Sequence, residues 1–200
     1  MANTGGKGLL ASLSYNMLSQ VINVIVPLLT APYLSRILQV GPLGNYAYAY
    51  AVASYFLLFG LLGVSHHGTR SIAALREDEK GRSRSFSEIY TLQLCMTALA
   101  AAFYIGYILL GHPPDPLIAW TLAPLLLSGM LDITWLYYGM DNFGTLRKRN
   151  ALVKLAALIG TFLFVRGPED LWKYALLMGG SALVSQLLLW KNLPHWVRFK

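Results

Sequence analysis

Charged residues are scarce in this sequence of 200 residues. Asp, Glu, Lys and Arg together make up 12% of the chain, whereas soluble domains carry about 25%. A soluble protein of this size would need more charge to cover its surface. The composition therefore argues against a cytosolic enzyme, a disordered protein and a nucleic-acid-binding domain. The formal net charge of +7 does not indicate nucleic-acid binding, because basic loops on the inner side of a membrane produce the same balance.

Cysteine is almost absent, and so are the common catalytic motifs. The single Cys95 excludes an intrachain disulfide. The sequence contains no nucleophile elbow, no phosphate-binding glycine loop and no pair of acids with hydrolase spacing. His66 and His67 are adjacent, so they point apart on a helix and make a poor metal pair. We therefore expect no enzymatic activity, no cofactor and no metal site.

Long uncharged runs take the place of these features. No Asp, Glu, Lys or Arg occurs in residues 8–35, 37–69 or 89–114, and a membrane helix needs about 20 mostly apolar residues. Three further apolar runs follow along the chain. The runs predict an all-α polytopic membrane protein with six spans, at about residues 10–35, 43–65, 88–111, 116–140, 151–166 and 172–190.

The basic residues predict the orientation of these spans. If the N-terminus is cytoplasmic and the six helices alternate, 13 of the 16 Lys and Arg residues lie on the cytoplasmic side and three lie outside. This is the bias that the positive-inside rule describes. We therefore expect both termini in the cytoplasm. The longest loop, roughly residues 66–87, is then cytoplasmic, and we expect its highly charged middle, residues 76–84, to be a solvated turn near anionic lipid headgroups.

A stripe of four polar residues and one proline follows one face of the first span. Its members, Asn16, Gln20, Asn23, Pro27 and Thr30, are separated by four, three, four and three residues, which places them on one helix face. A lipid-facing polar stripe would be costly. The stripe therefore either joins neighbouring helices through hydrogen bonds or lines a wet cavity, and the spacing does not decide between the two.

Asp132 is the one acid deep in a predicted span. An ionisable residue at that depth indicates a functional site, although a buried ion pair or a protonated acid bonded to the backbone would also explain it. Trp135, Tyr137 and Tyr138 follow it, and we expect them to anchor the span at the membrane interface, where aromatic belts form.

Arg36 and Arg70 follow the first and second predicted spans. A guanidinium group can grip a phosphate through two hydrogen bonds. An interfacial arginine that extends its charge into the water layer is the alternative interpretation of each.

Three segments carry a family resemblance. SYNMLSQVINVIVPLLTAPYLSRIL at residues 14–38, PLGNYAYAYAVASYFLLFGLLG at residues 42–63 and LDITWLYYGMDNF at residues 131–143 resemble the polysaccharide transporter family. These proteins are Wzx-like flippases of lipid-linked oligosaccharides such as O-antigen units, within the multidrug/oligosaccharidyl-lipid/polysaccharide exporter superfamily. One departure is the turn Gln39-Val40-Gly41-Pro42, which lacks the acid usual in the family.

The resemblance implies a fold and an activity. It implies two lobes of about six helices around a central cavity that alternates between the two faces of the bacterial inner membrane. The substrate it implies is an oligosaccharide linked to undecaprenyl pyrophosphate, moved from the inner to the outer leaflet for surface polysaccharide synthesis. Arg36 and Arg70 are the implied pyrophosphate ligands. The implied polar lining is Asn16, Gln20, Asn23 and Asp132.

The resemblance covers one lobe of the two. The implied partners are therefore the lipid-linked substrate, membrane lipids and either a second lobe or another copy of the chain, with no nucleic acid. Two other functions stay open at this point: a truncated, non-transporting membrane partner of the polysaccharide assembly machinery, and a related exporter of lipids or drugs.

Overall fold

Helices make up the regular structure of the chain. The computed structural model describes residues 20–21, 24–111, 113–191, 193 and 196–197. In these residues there are nine α-helices and one short 3-10 helix, which is Pro168–Asp170. The α-helices are α1 (Val24–Ile37), α2 (Val40–Gly60), α3 (Val64–Ala74), α4 (Glu79–Leu109), α5 (Pro116–Thr121), α6 (Ala123–Met130), α7 (Thr134–Gly139), α8 (Phe143–Phe164) and α9 (Leu171–Trp190).

Side-chain caps fix the starts of three helices. The Asp78 carboxylate accepts hydrogen bonds from two backbone amides in the first turn of α4. Asp115 caps α5 in the same way and is followed by Pro116, a residue whose fixed φ suits the first helical position. Asn142 caps α8 through the Thr145 amide, at 3.2 Å. Each cap satisfies a backbone donor that the helix itself leaves without a partner.

The helices confirm the all-α polytopic membrane class. By length and composition, α4 and the stretch Pro116–Gly139, which contains α5 to α7, qualify as membrane spans. The pair α2 and α3, bent by 42°, qualifies as a third. Shorter apolar helices such as α1 accompany them. The count of six spans stays a prediction.

The segment expected to be the longest cytoplasmic loop, residues 66–87, is mostly helical. Helix α3 continues to Ala74 and α4 begins at Glu79. Two of its arginines bond to backbone carbonyls: Arg76 Nε donates to Gly139 O at 2.6 Å and Arg82 Nε donates to Trp196 O at 2.9 Å. The expected loop begins later than predicted because α3 is amphipathic and buries one face against α7. In the charged middle, residues 77–80 and 84 are exposed, whereas Arg82 is buried, so the solvated turn was wrong for Arg82.

Two hydrophobic cores lie side by side. The first, here called the aliphatic core, consists of Leu34, Leu38, Ala49, Ala53, Tyr104, Ile108, Ile118, Ala119, Leu122, Leu125, Leu126, Val165, Leu171 and Ala175. The second, here called the aromatic core, consists of Val64, Ile72, Phe86, Ile89, Ile133, Trp135, Leu136, Tyr137, Leu146, Leu189, Leu193 and Val197. Helix α9 joins them, since Leu171 and Ala175 at its start belong to the first and Leu189 at its end belongs to the second.

Glycines allow α3 and α7 to pack closely. A Cβ atom on Gly68 would lie 2.6 Å from the Trp135 ring, and one on Gly139 would lie 2.6 Å from Ile72 side-chain atoms. Both distances are too short for carbon atoms in contact. The backbone of each helix therefore approaches the side chains of the other more closely than any larger residue would permit, and this fixes the position of α3 beside the broken fourth span.

Candidate functional site

The predicted fourth span, residues 116–140, is interrupted at Asp132. Helix α6 ends at Met130 and α7 begins at Thr134. Asp132 lies in the break, and its Oδ1 atom accepts a hydrogen bond of 2.8 Å from the Thr134 amide. Its side chain is partly buried. The carboxylate thus holds the turn that starts α7, and it brings a negative charge to a place where the helix is not continuous.

Gln93 of α4 holds the other side of this break. Its side-chain Nε2 donates to the carbonyls of Gly129 and Asp132, both at 2.8 Å, and its Oε1 accepts from the Trp135 indole at 2.9 Å. Gln93 is 0% exposed. The ends of a helix leave carbonyl groups without their helical donors, and in an apolar surrounding each would be costly. The Gln93 amide therefore satisfies the Asp132 carbonyl and gives the Gly129 carbonyl a second donor beside the Asp132 amide, which lies at 3.3 Å.

Arg149 brings a positive charge to the same region. Its guanidinium donates to the Ser185 carbonyl and the Gln186 side chain of α9, both at 3.4 Å, and to Asn150 Oδ1 at 2.8 Å. Arg149 precedes the predicted fifth span. Burial lowers the pKa of its guanidinium, and the nearby charge of Asp132 opposes that shift. The two residues form a polar cluster where α7, α8 and α9 meet.

A cavity of about 410 Å³ lies between α1, α2, α6, α8 and α9. Pro27 and Thr30 of α1 contribute to its wall, together with Lys154 of α8 and Ser181 of α9. The Thr30 hydroxyl donates to the Val26 carbonyl at 2.9 Å. Hydroxyl groups and a lysine thus border a space that is otherwise mostly lined by apolar side chains.

The polar stripe of the first span contributes only in part to this cavity. Pro27 and Thr30 line it, and Gln20 is exposed. Asn16 and Asn23 lie outside the described residues. The choice between joining helices and lining a cavity stays a prediction for the stripe as a whole.

Arg36 and Arg70 are not brought together. Arg36 lies at the end of α1, and Arg70 lies in α3, beyond the far end of α2; both are exposed. Helix α2 has 21 residues, which is about 30 Å at 1.5 Å per residue. The two guanidinium groups therefore cannot grip one pyrophosphate at the same time.

Arg70 instead has two histidines beside it. An open depression of about 550 Å³ is lined by His66, His67, Arg70 and Ser71, all on α3. The opposite face of α3 buries Val64, Gly68 and Ile72, so the polar residues form the side of the helix that faces away from the aromatic core.

A comparison with known families gives this arrangement its context. A family model described as "Polysaccharide biosynthesis protein" matches residues 9–198. The chain belongs to this family. The match covers nearly the whole chain, so the matched residues include both cores, the break at Asp132 and the polar face of α3.

Two curated relatives bear the name "Putative O-antigen transporter". The one from Escherichia coli (strain K12) is 24% identical over 199 residues, which are 98% of this chain and 48% of the relative. The one from Shigella dysenteriae is 24% identical over 176 residues, which are 85% of this chain and 44% of the relative. The chain thus spans about half the length of the curated relatives it matches. No solved structure gives a significant match.

The aromatic residues after Asp132 are not where we expected them. Trp135 is 1% exposed and Tyr137 is 0% exposed, so they belong to the aromatic core and do not anchor the span at a membrane interface. The Tyr137 hydroxyl donates to the Leu189 carbonyl at 2.7 Å. Only Tyr138 is exposed, at 44%. For Trp135 and Tyr137 the expectation was wrong, because after the break at Asp132 these side chains pack against α3, α4 and α9; for Tyr138 it stays a prediction.

Gln93 and Arg149 were not singled out as site residues by the sequence. Gln93 lies in a long uncharged run, where a single amide resembles any polar residue of a membrane helix. Arg149 belongs to the basic group of residues 147–149, and in the sequence this group predicts only the orientation of the spans. The energetic cost of an unpaired amide would have pointed to Gln93, because a buried amide within a membrane span must have hydrogen-bond partners.

Proposed function

We propose that the chain is the first half of a membrane flippase that moves a lipid-linked oligosaccharide from the inner to the outer leaflet of the bacterial inner membrane. The observation that carries this proposal is the family match across residues 9–198. The names of the two relatives support it. Both termini are cytoplasmic in this proposal, and a second half of similar size completes the cavity.

The separation of Arg36 and Arg70 fits transport better than static binding. A pyrophosphate that crosses the membrane needs a cationic partner near each face, and Arg36 and Arg70 lie beyond opposite ends of α2, whose length of about 30 Å is close to the thickness of the hydrocarbon core. In this proposal Arg70 meets the anion on the cytoplasmic side and Arg36 meets it on the outer side. The two lobes move so that the cavity opens to the cytoplasmic side at Arg70 and then to the outer side at Arg36.

The broken fourth span supplies a place where the lobe can change shape. Discontinuous helices near the middle of the bilayer are common in transporters. Here Asp132 lies in the break. Gln93 donates a hydrogen bond to the Asp132 carbonyl, and Arg149 brings a positive charge near the Asp132 carboxylate. We propose that the charge of Asp132 contributes to the movement between the two positions.

An export assay tests the proposed function. In an E. coli strain that lacks its O-antigen transporter, the chain is co-expressed with the second half of the E. coli relative. We expect surface O-antigen to return with both halves and not with the chain alone, because one lobe leaves the cavity open to lipid. The matched control is the E. coli relative itself, split at the equivalent position. If the split relative exports and the chain with its second half does not, the flippase proposal fails and a non-transporting partner is favoured.

Asp132→Asn separates the charge from the hydrogen bond in the same assay. Asn keeps an oxygen for the Thr134 amide and removes a charge that costs about 2.5–3.5 kcal/mol in the middle of a span. We expect membrane abundance at least equal to that of the unchanged chain and export reduced by about tenfold, equivalent to about 1.4 kcal/mol. Normal export at equal abundance would show that the carboxylate is structural only.

A further inference from the structure

An open groove runs between α8 and α9. It has a volume of about 550 Å³ and is lined by residues between 152 and 164 of α8 and between 172 and 184 of α9. Apart from Lys173, Ser181 and the indole nitrogen of Trp172, the described side chains that line it are apolar. The Ser181 hydroxyl donates to the Met178 carbonyl of its own helix at 2.8 Å. Such a surface favours contact with hydrocarbon over contact with water.

The groove has the length of one leaflet of a bilayer. On each helix its lining residues extend over twelve positions, which is about 18 Å at 1.5 Å per residue. Half of the hydrocarbon core of a membrane is about 15 Å thick. One end of the groove lies at Phe164 and Trp172, beside the loop that joins the two helices, and the other end lies within both helices. The groove therefore fits one acyl chain whose headgroup lies at the loop.

A second depression lies at the loop end of the groove. Its volume is about 240 Å³, and Trp172 lines both cavities. The polar side chains that line it are Asn45, Asp115 and Glu169, and the described lining of this depression includes no cation. One carboxylate oxygen of Asp115 accepts from the Ile118 amide at 3.2 Å. Two carboxylates and an amide thus form a polar pocket that attracts a cation with hydrogen-bond donors.

Lys173 lies at the edge of the groove, next to this depression. Its Nζ atom is 2.6 Å from Asp170 Oδ1 and 5.7 Å from the centroid of the Trp172 ring, and its side chain is 39% exposed. Lys173 lines the groove, whereas Glu169 lines the depression. From the groove outward, the surface is therefore first apolar, then positive and then negative.

We propose that the groove and the depression together bind one molecule of phosphatidylethanolamine. Its acyl chain lies between α8 and α9, its phosphate accepts a hydrogen bond from Lys173, and its ammonium group donates to Asp115 and Glu169. The site itself does not depend on the proposed flippase function. The topology of that proposal decides only the leaflet, which is the outer one.

The order of charges favours this lipid over others. The phosphate and the primary ammonium of phosphatidylethanolamine complement the cation and the carboxylates in the same order. Phosphatidylcholine has the same charges, but its trimethylated ammonium has no N–H group to donate to a carboxylate. Phosphatidylglycerol brings no cation to Asp115 and Glu169. A polyprenyl chain long enough to cross the bilayer would extend beyond a groove of about 18 Å.

The first test compares headgroups. Native mass spectrometry of the full chain from detergent micelles measures the affinities of phosphatidylethanolamine, phosphatidylcholine and phosphatidylglycerol with the same acyl chains. We expect phosphatidylethanolamine to bind about tenfold more tightly than phosphatidylcholine, since hydrogen bonds to charged groups are strong enough for that factor. Glu169→Gln should lose most of this preference. Glu77→Gln is the matched control, because Glu77 is an exposed acid away from both cavities, and it should keep the preference.

The second test fills the groove. Gly180 lines it, and nothing lies within 4 Å of its Cβ position, so the side chain of Gly180→Leu occupies the place of the acyl chain without a clash at Cβ. We expect all three phospholipids to bind at least about tenfold more weakly, because apolar contact with the chain is lost. Gly106→Leu is the matched control, since Gly106 of α4 has equally open space and lies outside the groove. It should bind like the unchanged chain.

Four results would overturn the proposal. The first is equal affinity for phosphatidylethanolamine and phosphatidylcholine, and the second is a Gly180→Leu variant that binds like Gly106→Leu. The third is tighter binding of phosphatidylglycerol or of undecaprenyl phosphate, which would assign the groove to an anionic lipid or to a polyprenyl chain. The fourth is a dimer that excludes lipid and is lost in Gly180→Leu, which would assign the groove to a second copy. The export assay does not enter these measurements, so its failure leaves this site unchanged.

Discussion

The two cores are held together in different ways. In the aliphatic core, aliphatic side chains pack between the helices, and tyrosines supply the long-range hydrogen bonds described there: Tyr104 donates to the Ala119 carbonyl at 2.8 Å, Tyr33 donates to the Val165 carbonyl at 2.7 Å, and Tyr46 bonds to Tyr174. In the aromatic core, long-range hydrogen bonds from Gln93, Trp190 and Tyr137 end on backbone carbonyls. The one-residue interruption at Leu122 has a single tyrosine donor beside it, whereas the three-residue break at residues 131–133 receives donors from several side chains.

The stability of the aromatic core therefore depends on particular side-chain hydrogen-bond donors. Trp190 Nε1 donates to the Leu131 carbonyl at 2.8 Å, at the same break that Gln93 satisfies. The Phe86 ring packs against both tryptophans, with its centroid 5.4 Å from that of Trp135 and 6.4 Å from that of Trp190. An apolar substitution that is tolerated between two continuous helices should be harmful here, because it leaves carbonyls without partners.

The largest expected effect is that of Gln93→Leu. This change removes three hydrogen bonds. The Gly129 carbonyl keeps the Asp132 amide at 3.3 Å, whereas the Asp132 carbonyl and the Trp135 indole lose this partner. Since an unsatisfied buried group costs about 1–3 kcal/mol, we expect the free energy of unfolding to fall by about 2–6 kcal/mol. Reversible unfolding in mixed micelles measures it. Gln186→Leu is the control, because Gln186 accepts one bond of 3.4 Å. Equal losses in the two variants would remove the basis of the comparison.

Gly68→Ala should cost about 1–3 kcal/mol, because a Cβ atom at 2.6 Å from the Trp135 ring forces overpacking. Gly106→Ala in α4 is the matched substitution with open space, since nothing lies within 4 Å of its Cβ position. In that helix interior the same change should stabilise the protein by about 0.5–1 kcal/mol. The two variants are compared by thermal unfolding, and effects of the same sign would contradict the close approach of α3 and α7.

The same chemical change in each core sharpens the comparison. Tyr137→Phe and Tyr104→Phe each delete one buried hydroxyl. The Ala119 carbonyl keeps a well-placed backbone donor, the Leu122 amide at 3.2 Å, whereas the Leu189 carbonyl, in the last turn of α9, keeps the amide of Lys191, only two residues further on and shared with Leu187. We expect a loss of about 2 kcal/mol for Tyr137→Phe and about 1 kcal/mol for Tyr104→Phe, both from unfolding titrations. The reverse order would show that the carbonyls of the aromatic core have other partners.

The smallest effect concerns Asp170, beside the aliphatic core. Its carboxylate lies 2.6 Å from Lys173 Nζ and accepts from the Arg166 amide at 2.9 Å, and these bonds hold the pKa of that carboxyl below its usual value. A lowered folded-state pKa means that the stabilisation is present above the unfolded value of about 3.9 and is lost as the pH falls through the folded value. Asp170→Asn should therefore lower the melting temperature slightly at neutral pH and have no effect in strong acid. A constant difference across pH would contradict this.

The sequence predicts the class of this protein well. Charge-free runs of membrane length and the segments around residues 14–38 and 131–143 lead to an all-α membrane protein and to its family. These features depend on composition and on local order along the chain, which a sequence shows directly.

The candidate site was less predictable. The break at Asp132 depends on Gln93, which is 39 positions away, and neither residue's local context signals the other. Arg76 and Arg82 looked like solvated charges because their carbonyl partners lie 63 and 114 positions away in the chain. Hydrogen bonds between distant positions leave no periodicity in the sequence, so the burial of Trp135 and Tyr137 could not be foreseen either.

Gly63 links the apolar α2 to the polar α3. Its φ of +77° is open to glycine and strained for most other residues, and nothing lies within 4 Å of its Cβ position. Arg70 is seven residues further on, about 10 Å along the helix axis. The direction of α3 relative to α2 is therefore set at this turn, and the packing of Gly68 on Trp135 holds it there. A bend that differed by about 10° would displace the Arg70 backbone by about 2 Å, on the 1.5 Å rise per residue, so a single glycine determines how far the Arg70 charge stands from the apolar surface of α2.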